Sequence, residues 1–154
     1  MKKTSNKGFS MVELIIVIAI MAILAAALAP ALIKYINKSR LSTDISTGTS
    51  IASAASAAMA VEKANDAAVN YAGTTQNVTA LINANGDDFQ KEFTNVLGVN
   101  SVKGKSKKDL NGSQFANQDF YILIDSGSDN VTVWYGASDD DHMVSPSTGS
   151  SMAE

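Results

Sequence analysis

Glu13 is the one carboxylate at the threshold of the most apolar stretch of the chain. Ahead of it runs Gly8-Phe9-Ser10-Met11-Val12. An ionised carboxylate at the centre of a bilayer costs on the order of 3 kcal/mol, and less near the headgroups. Glu13 must therefore reach water at the interface or find a positive partner. Asp139-Asp140-Asp141 is a second group, beside His142, the sole histidine. Clustered carboxylates suit a hard cation such as calcium. Three consecutive acids alternate in direction, however, which favours a solvated acidic turn over a metal site. Serines and aspartates are abundant, yet nothing holds one of each against His142, so catalysis is not expected. The chain has no phosphate loop and no dinucleotide fingerprint, and no cofactor is expected. It has no cysteine, which removes disulfides and thiolate metal sites.

The elements that position Glu13 follow from the first forty residues. Lys2, Lys3 and Lys7 precede Gly8, with no acid among them. Leu14 to Ile33 is a run of twenty uncharged residues. As a helix it is roughly 30 Å long, the thickness of the hydrocarbon core. The lysines hold the N-terminus cytoplasmic, so the remainder lies outside. A secretory signal peptide has a shorter apolar region, of about 7–15 residues, with its cleavage site after it. Here the small residue Gly8 and the charged Glu13 stand before the run instead. Pro30 lacks an N–H and predicts a kink or a short unwound stretch.

The string GFSMVELIIVIAIMAILAAALAP resembles the prepilin motif of the type IV pilins and the type II secretion pseudopilins. The likeness covers about residues 5–40. It implies that a membrane peptidase cuts between Gly8 and Phe9 and N-methylates Phe9. It also implies that Glu13, fifth in the mature chain, pairs with a terminal amine and sets registry in assembly. Pro30 matches the family's helix-kinking proline. Loss of the leader lysines takes the formal net charge from −3 to −6 and exposes an amine at Phe9.

Beyond the membrane, Leu41, Ile45, Gly48, Ala52, Ala55 and Met59 recur at spacings of four and three, one face of a helix. Ser46 to Ser50 has poor helix propensity and predicts a bend. The helical pattern fades near Asn70. A short helical turn is expected at Val78–Asn83. A helix should open at Asp87-Asp88, carry Phe89 and Phe93, and stop at Gly98. Phe120–Ile124 and Val131–Tyr135 read as strands joined by the Asp125–Asn130 loop. A third strand is expected between Val99 and Ala116, and a mobile polar tail from Ala137.

The resulting expectation is an α+β, type IV pilin-like chain. A long N-terminal α-helix carries a small antiparallel β-sheet head packed on its C-terminal half. Its parts are a leader (1–8), a transmembrane and filament-core helix (9–36), the outer half of that helix (37–70), a head (71–136) and a tail (137–154). The resemblance implies a structural subunit, a major pilin of a type IV pilus serving adhesion, aggregation or twitching motility. Its partners would be further copies of itself, the prepilin peptidase and methyltransferase, an assembly ATPase, an inner-membrane platform protein and, before assembly, membrane lipid. It would sit in the cytoplasmic membrane as a precursor and then in an extracellular filament. Two alternatives stand beside it: a pseudopilin of secretion or DNA uptake, and an uncleaved single-pass protein with a ligand-binding head. The acidic balance and the lack of basic patches interleaved with aromatics give no sign of a nucleic-acid partner.

Overall fold

The structure, a computed structural model, describes residues 8–84, 86–125, 130–149 and 152. The leader lysines and the hairpin tip at 126–129 lie outside the described residues. Helix α1 spans Met11–Met59. The chain forms two compact units, one reaching Ile36 and the other starting at Asn37.

In the first unit every described residue is exposed. Helix α1 is long and apolar enough to cross a membrane, and none of its most apolar window is buried. The helix is continuous through Pro30, so the unwound stretch predicted there does not form. Pro30 withholds one hydrogen bond from the preceding turn, and the flanking rungs keep the helix intact.

The second unit is an all-antiparallel meander packed on helices. Its elements are the end of α1, α2 (Glu62–Ala68), β1 (Gln76–Asn77), α3 (Val78–Ala84), α4 (Asp88–Leu97), β2 (Phe120–Ile124), β3 (Val131–Tyr135) and β4 (Met143–Ser145). The sheet order is β1-β2-β3-β4. Strand β2 alternates, burying Phe120, Ile122 and Ile124 while Tyr121 and Leu123 lie half-buried. Its partner β3 aligns Phe120 with Tyr135 and Ile124 with Val131, so both strands send their large residues to one core. The third strand predicted between Val99 and Ala116 is absent. That segment is an irregular loop with one isolated bridge, Lys108 to Gln114. The outer strands are β1 and β4 instead. Residues 137–149 are therefore more than a tail: β4 completes the sheet and Val144 is buried, as is Met152 beyond them.

Helix α4 forms as its sequence requires. Asp87 caps it by accepting from the Gln90 N–H at 2.8 Å, and Gln90 Oε1 accepts in return from the Asp87 N–H at 3.3 Å. Gly98 ends it at φ 70°, a left-handed cap that costs glycine little. Phe89 and Phe93 face inward with stacked rings 5.8 Å apart. The helical run from α1 does not extend to Asn70 unbroken. Its last turn tightens, with Ala60 and Val61 N–H donating to the carbonyls three residues back. Val61 is then extended, and α2 turns to bury Ala64 and Ala68.

Within the second unit α1 buries Leu41, Gly48, Ala52, Ala55 and Met59, five of the six stripe positions, with Ile45 packed against the core. Asp44 and Ile51 join them. No bend interrupts Ser46–Ser50. The hydroxyls of Ser46, Thr47, Thr49 and Ser50 donate to carbonyls four residues back at 2.9–3.1 Å, which keeps these residues compatible with the helix. At Gly48 β4 comes close: a Cβ there would stand 2.6 Å from Val144 Cγ1.

Asp44 is 1% exposed. Its two carboxylate oxygens accept the Lys105 N–H at 2.8 Å and the Ser106 N–H at 2.7 Å. The Tyr135 hydroxyl donates to the Ser106 carbonyl at 2.5 Å. Burial, and then the Asp44 charge, push the Tyr135 phenol well above its ordinary range. Tyr71, which donates to Asp87, is pushed up to about 12 by burial first and by that hydrogen bond second.

Candidate functional site

Gly8, Phe9 and Ser10 lie outside the helix, and α1 begins one residue later. Ser10 is the residue that starts it. Its Oγ accepts the Val12 N–H at 3.3 Å, and its own N–H donates to Glu13 Oε2 at 2.8 Å. Ser10 and Glu13 thus share half of a capping box: the Glu13 carboxylate accepts the N-cap N–H, while the serine hydroxyl accepts at the second helical residue rather than the third. The first helical rung, Leu14 N–H to the Ser10 carbonyl, closes at 3.2 Å. The Glu13 carboxylate also sits where the helix dipole favours negative charge. Two stabilising effects hold it at the N-terminus in the uncut chain.

The Gly8–Phe9 peptide lies in coil just ahead of this cap, and Phe9 is 88% exposed. A peptide outside a helix can enter an extended binding cleft without first unwinding a turn. A Cβ added at Gly8 would meet nothing within 4 Å. Nothing among the described residues demands glycine at that position, which leaves the demand to a partner that closes around it.

The structure brings Glu13 and Ser10 together on the helix start, next to Gly8 and Phe9. Pro30 lies seventeen residues further on, about 25 Å along the helix. It shares no contact with the cap. The role of Ser10 was missed from sequence, although a serine three residues before a glutamate, ahead of an apolar run, is a helix-start signature that could have found it.

The acidic group stands in the second unit. Asp139 caps a 3-10 turn at Asp140–His142, accepting from the His142 N–H at 3.0 Å and facing its Nδ1 at 2.5 Å. The carboxylate offered for calcium is committed to the turn. Among the described residues no group of three or more His, Cys, Asp or Glu is arranged to hold a metal ion. The His142 ring packs edge-on against Phe115, centroids 5.5 Å apart.

Residues 3–29 match the model of the prokaryotic N-terminal methylation motif. That span contains Gly8, Phe9, Ser10 and Glu13 and stops just before Pro30. No curated protein and no solved structure matches the chain.

Proposed function

We propose that this chain, which carries the class III leader of the type IV pilins and pseudopilins, is the precursor of a filament subunit that is cut between Gly8 and Phe9 and assembles through Glu13. The leader and the apolar helix fit a membrane-anchored precursor, and the family motif points to a structural protein rather than an enzyme.

The Ser10–Glu13 cap carries the reading. Hydrolysis of the Gly8–Phe9 peptide consumes one water, leaves the Gly8 carboxylate on the leader, and frees the Phe9 amine. N-methylation of that amine keeps its positive charge. The amine appears one residue from the Ser10 N–H that Glu13 already holds, a step of about 3.8 Å along the backbone. Glu13 therefore gains a cation without leaving the helix start. In an apolar surrounding that ion pair favours a partner that shares it, because a buried charge stripped of its partner costs about 3–5 kcal/mol.

Mass spectrometry of the protein purified from membranes tests the reading. An N-methylated Phe9 terminus is expected. A mature protein that still begins Met1-Lys2-Lys3 overturns it, and would favour an uncleaved membrane-anchored binding protein.

Within that class we favour a major subunit of a surface pilus, assembled by an ATPase and a platform protein. Helices α2, α3 and α4 and strands β2, β3 and β4 all feed one core cluster, the build of a coat unit around a helical core. Electron microscopy of a deletion strain decides between pilus and pseudopilus. Loss of long surface fibres is expected, and intact fibres with a secretion or DNA-uptake defect would assign the chain to a pseudopilus.

A further inference from the structure

Between Glu13 and Lys34 the chain carries no charged side chain. Twenty-one residues separate the two, a rise of about 32 Å on a helix that runs unbroken through both. Both side chains are exposed. Among the described residues Glu13 accepts one bond, from the Ser10 N–H, and no carboxylate lies within ion-pair distance of Lys34.

One turn before Lys34 stands Pro30, which has no N–H to give the Ala26 carbonyl four residues back. Ala26, Pro30 and Lys34, each four residues from the last, share one face of the helix. Helical side chains lean towards the N-terminus, so the Lys34 stem runs back over the Pro30 turn. An ammonium and a carbonyl in need of a donor thus fall on one short stretch of an exposed helix. In hydrocarbon such a carbonyl is satisfied by a neighbouring helix. Ala25, Ala26, Ala27, Ala29 and Ala31, all exposed, let that neighbour come close.

The other end of the same helix supplies the complement. Once the leader is cut, the Phe9 amine stands beside the Glu13 carboxylate. The amine has N–H groups for a carbonyl, and the carboxylate has an acceptor for an ammonium. Copies inserted with the same leader run parallel. Without stagger, Glu13 would face Glu13 and Lys34 would face Lys34, and like charges repel strongly in apolar surroundings. Slid along by twenty-one residues, Glu13 of one copy comes level with Lys34 of the next. Phe9 then comes level with Pro30, since each precedes its charged residue by four. The two patches are unlike and stand about 32 Å apart on parallel helices. Each copy that pairs through one patch therefore leaves the other open, which is the condition for an open polymer rather than a closed pair.

We propose that the Pro30 turn and Lys34 of one copy receive the Phe9–Glu13 end of a second copy of this chain. The Lys34 ammonium meets the Glu13 carboxylate, and the Phe9 amine donates to the Ala26 carbonyl that Pro30 leaves without its helical partner. The contact rests on the filament reading above and names the partner that shares the Glu13 ion pair. It sets the axial stagger at about twenty-one residues, while the apolar residues supply the bulk of the association.

A lysine at this depth can also serve only as an anchor to headgroups, and moving it round the helix separates the two roles. The exchange Lys34→Tyr/Tyr35→Lys keeps one cation at the same depth but turns it by about 100°. Cutting at Phe9 and membrane level should be unchanged, and the yield of filaments sheared from cells should fall about tenfold or more. Pro30→Ala returns an N–H to the Ala26 carbonyl, and yield should fall about threefold or more with the helix intact. In wild-type filaments a zero-length carbodiimide should join Glu13 to Lys34 as an amide, read by mass spectrometry of the digested protein. Such a link must join two copies, because the residues lie about 32 Å apart in one chain. A yield within about twofold of wild type for the exchange or for Pro30→Ala overturns the proposal, as does Glu13 coupled to Phe9 alone. Should the exchange lower the membrane level, Lys34→Gln takes its place with the same threshold. Wild-type cells that make no filament overturn the filament reading and this contact with it, whereas normal yield in the variants overturns the contact alone.

Discussion

Ile16, Leu24 and Leu28 are 52%, 57% and 66% exposed, whereas Ile51, Phe93 and Val133 are 0% exposed. The two groups have similar chemistry and sit in the two units of one chain. The difference lies in what surrounds them. Seventeen large apolar residues from Phe9 to Ile36 are exposed, and hiding each is worth about 2 kcal/mol, on the order of 30 kcal/mol in all. No soluble chain leaves that undone. The first unit is complete only in an apolar surrounding, while the head closes its own core. Mutations should therefore sort into those that change assembly without touching head stability and those that do the reverse.

Glu13→Val gives the largest effect, and it falls wholly on the first unit. The variant should be cut at Phe9, stay in the membrane, and yield no filament. Its head should melt at the wild-type temperature in detergent, because among the described residues Glu13 bonds only within its own turn. Normal filament yield would break the proposed role of the Phe9 amine.

Asp44→Ala should do the opposite. The Lys105 and Ser106 N–H groups lose their acceptor, the first part-buried and the second fully buried. An unsatisfied buried pair and the void beside it cost about 2–4 kcal/mol. Chemical denaturation of the full chain in detergent measures it, and a loss below about 1 kcal/mol would show that the loop has another anchor. Leader cutting should be unaffected.

Gly48→Ala is a smaller test of the same core. Alanine favours a helix over glycine by about 1 kcal/mol. Against that gain, its Cβ would lie 2.6 Å from Val144 Cγ1 and 2.9 Å from Val144 Cβ. Overpacking of this kind costs about 1–3 kcal/mol, so a net loss of about 1 kcal/mol is expected in the same denaturation experiment. A stabilised variant would mean that β4 can move away from the helix freely.

What could be read from the sequence follows the range of the interactions. The α4 cap at Asp87, its stop at Gly98 and the strands Phe120–Ile124 and Val131–Tyr135 are set by neighbours a few residues apart, and each was legible. The Ser10–Glu13 cap is equally local, but it was missed. Asp44 was not legible, since an aspartate among serines and threonines reads as solvent-facing, and its partners lie 61 and 62 residues away. The break at Val61 has no glycine or proline to announce it. It is imposed by α2 turning to pack on α4. Strand β4 is three residues long and follows an acidic turn, so periodicity had nothing to register. The lysines at 103–108 read as a solvated loop because nothing local reveals that their backbone is bolted to a helix and a sheet.

Alkaline pH offers the finest discrimination between the units. In an unfolded chain tyrosine loses its proton near pH 10. In the head Tyr71 is held to about 12, by burial first and by its bond to Asp87 second, and Tyr135 is raised in the same direction. Below about pH 10 both states keep these protons, and the contribution to stability is complete. As pH rises past that point the unfolded state ionises first, so stability is lost progressively until the folded phenols titrate as well. The head should therefore lose melting temperature between about pH 10 and 12. Tyr71→Phe has no proton to lose, and its decline should be visibly shallower. At pH 7 the same substitution costs only the hydrogen bond to Asp87 on a half-buried ring, about 1 kcal/mol or less. Equal slopes in the variant and the wild type would show that Tyr71 ionises as freely in the head as in the unfolded chain.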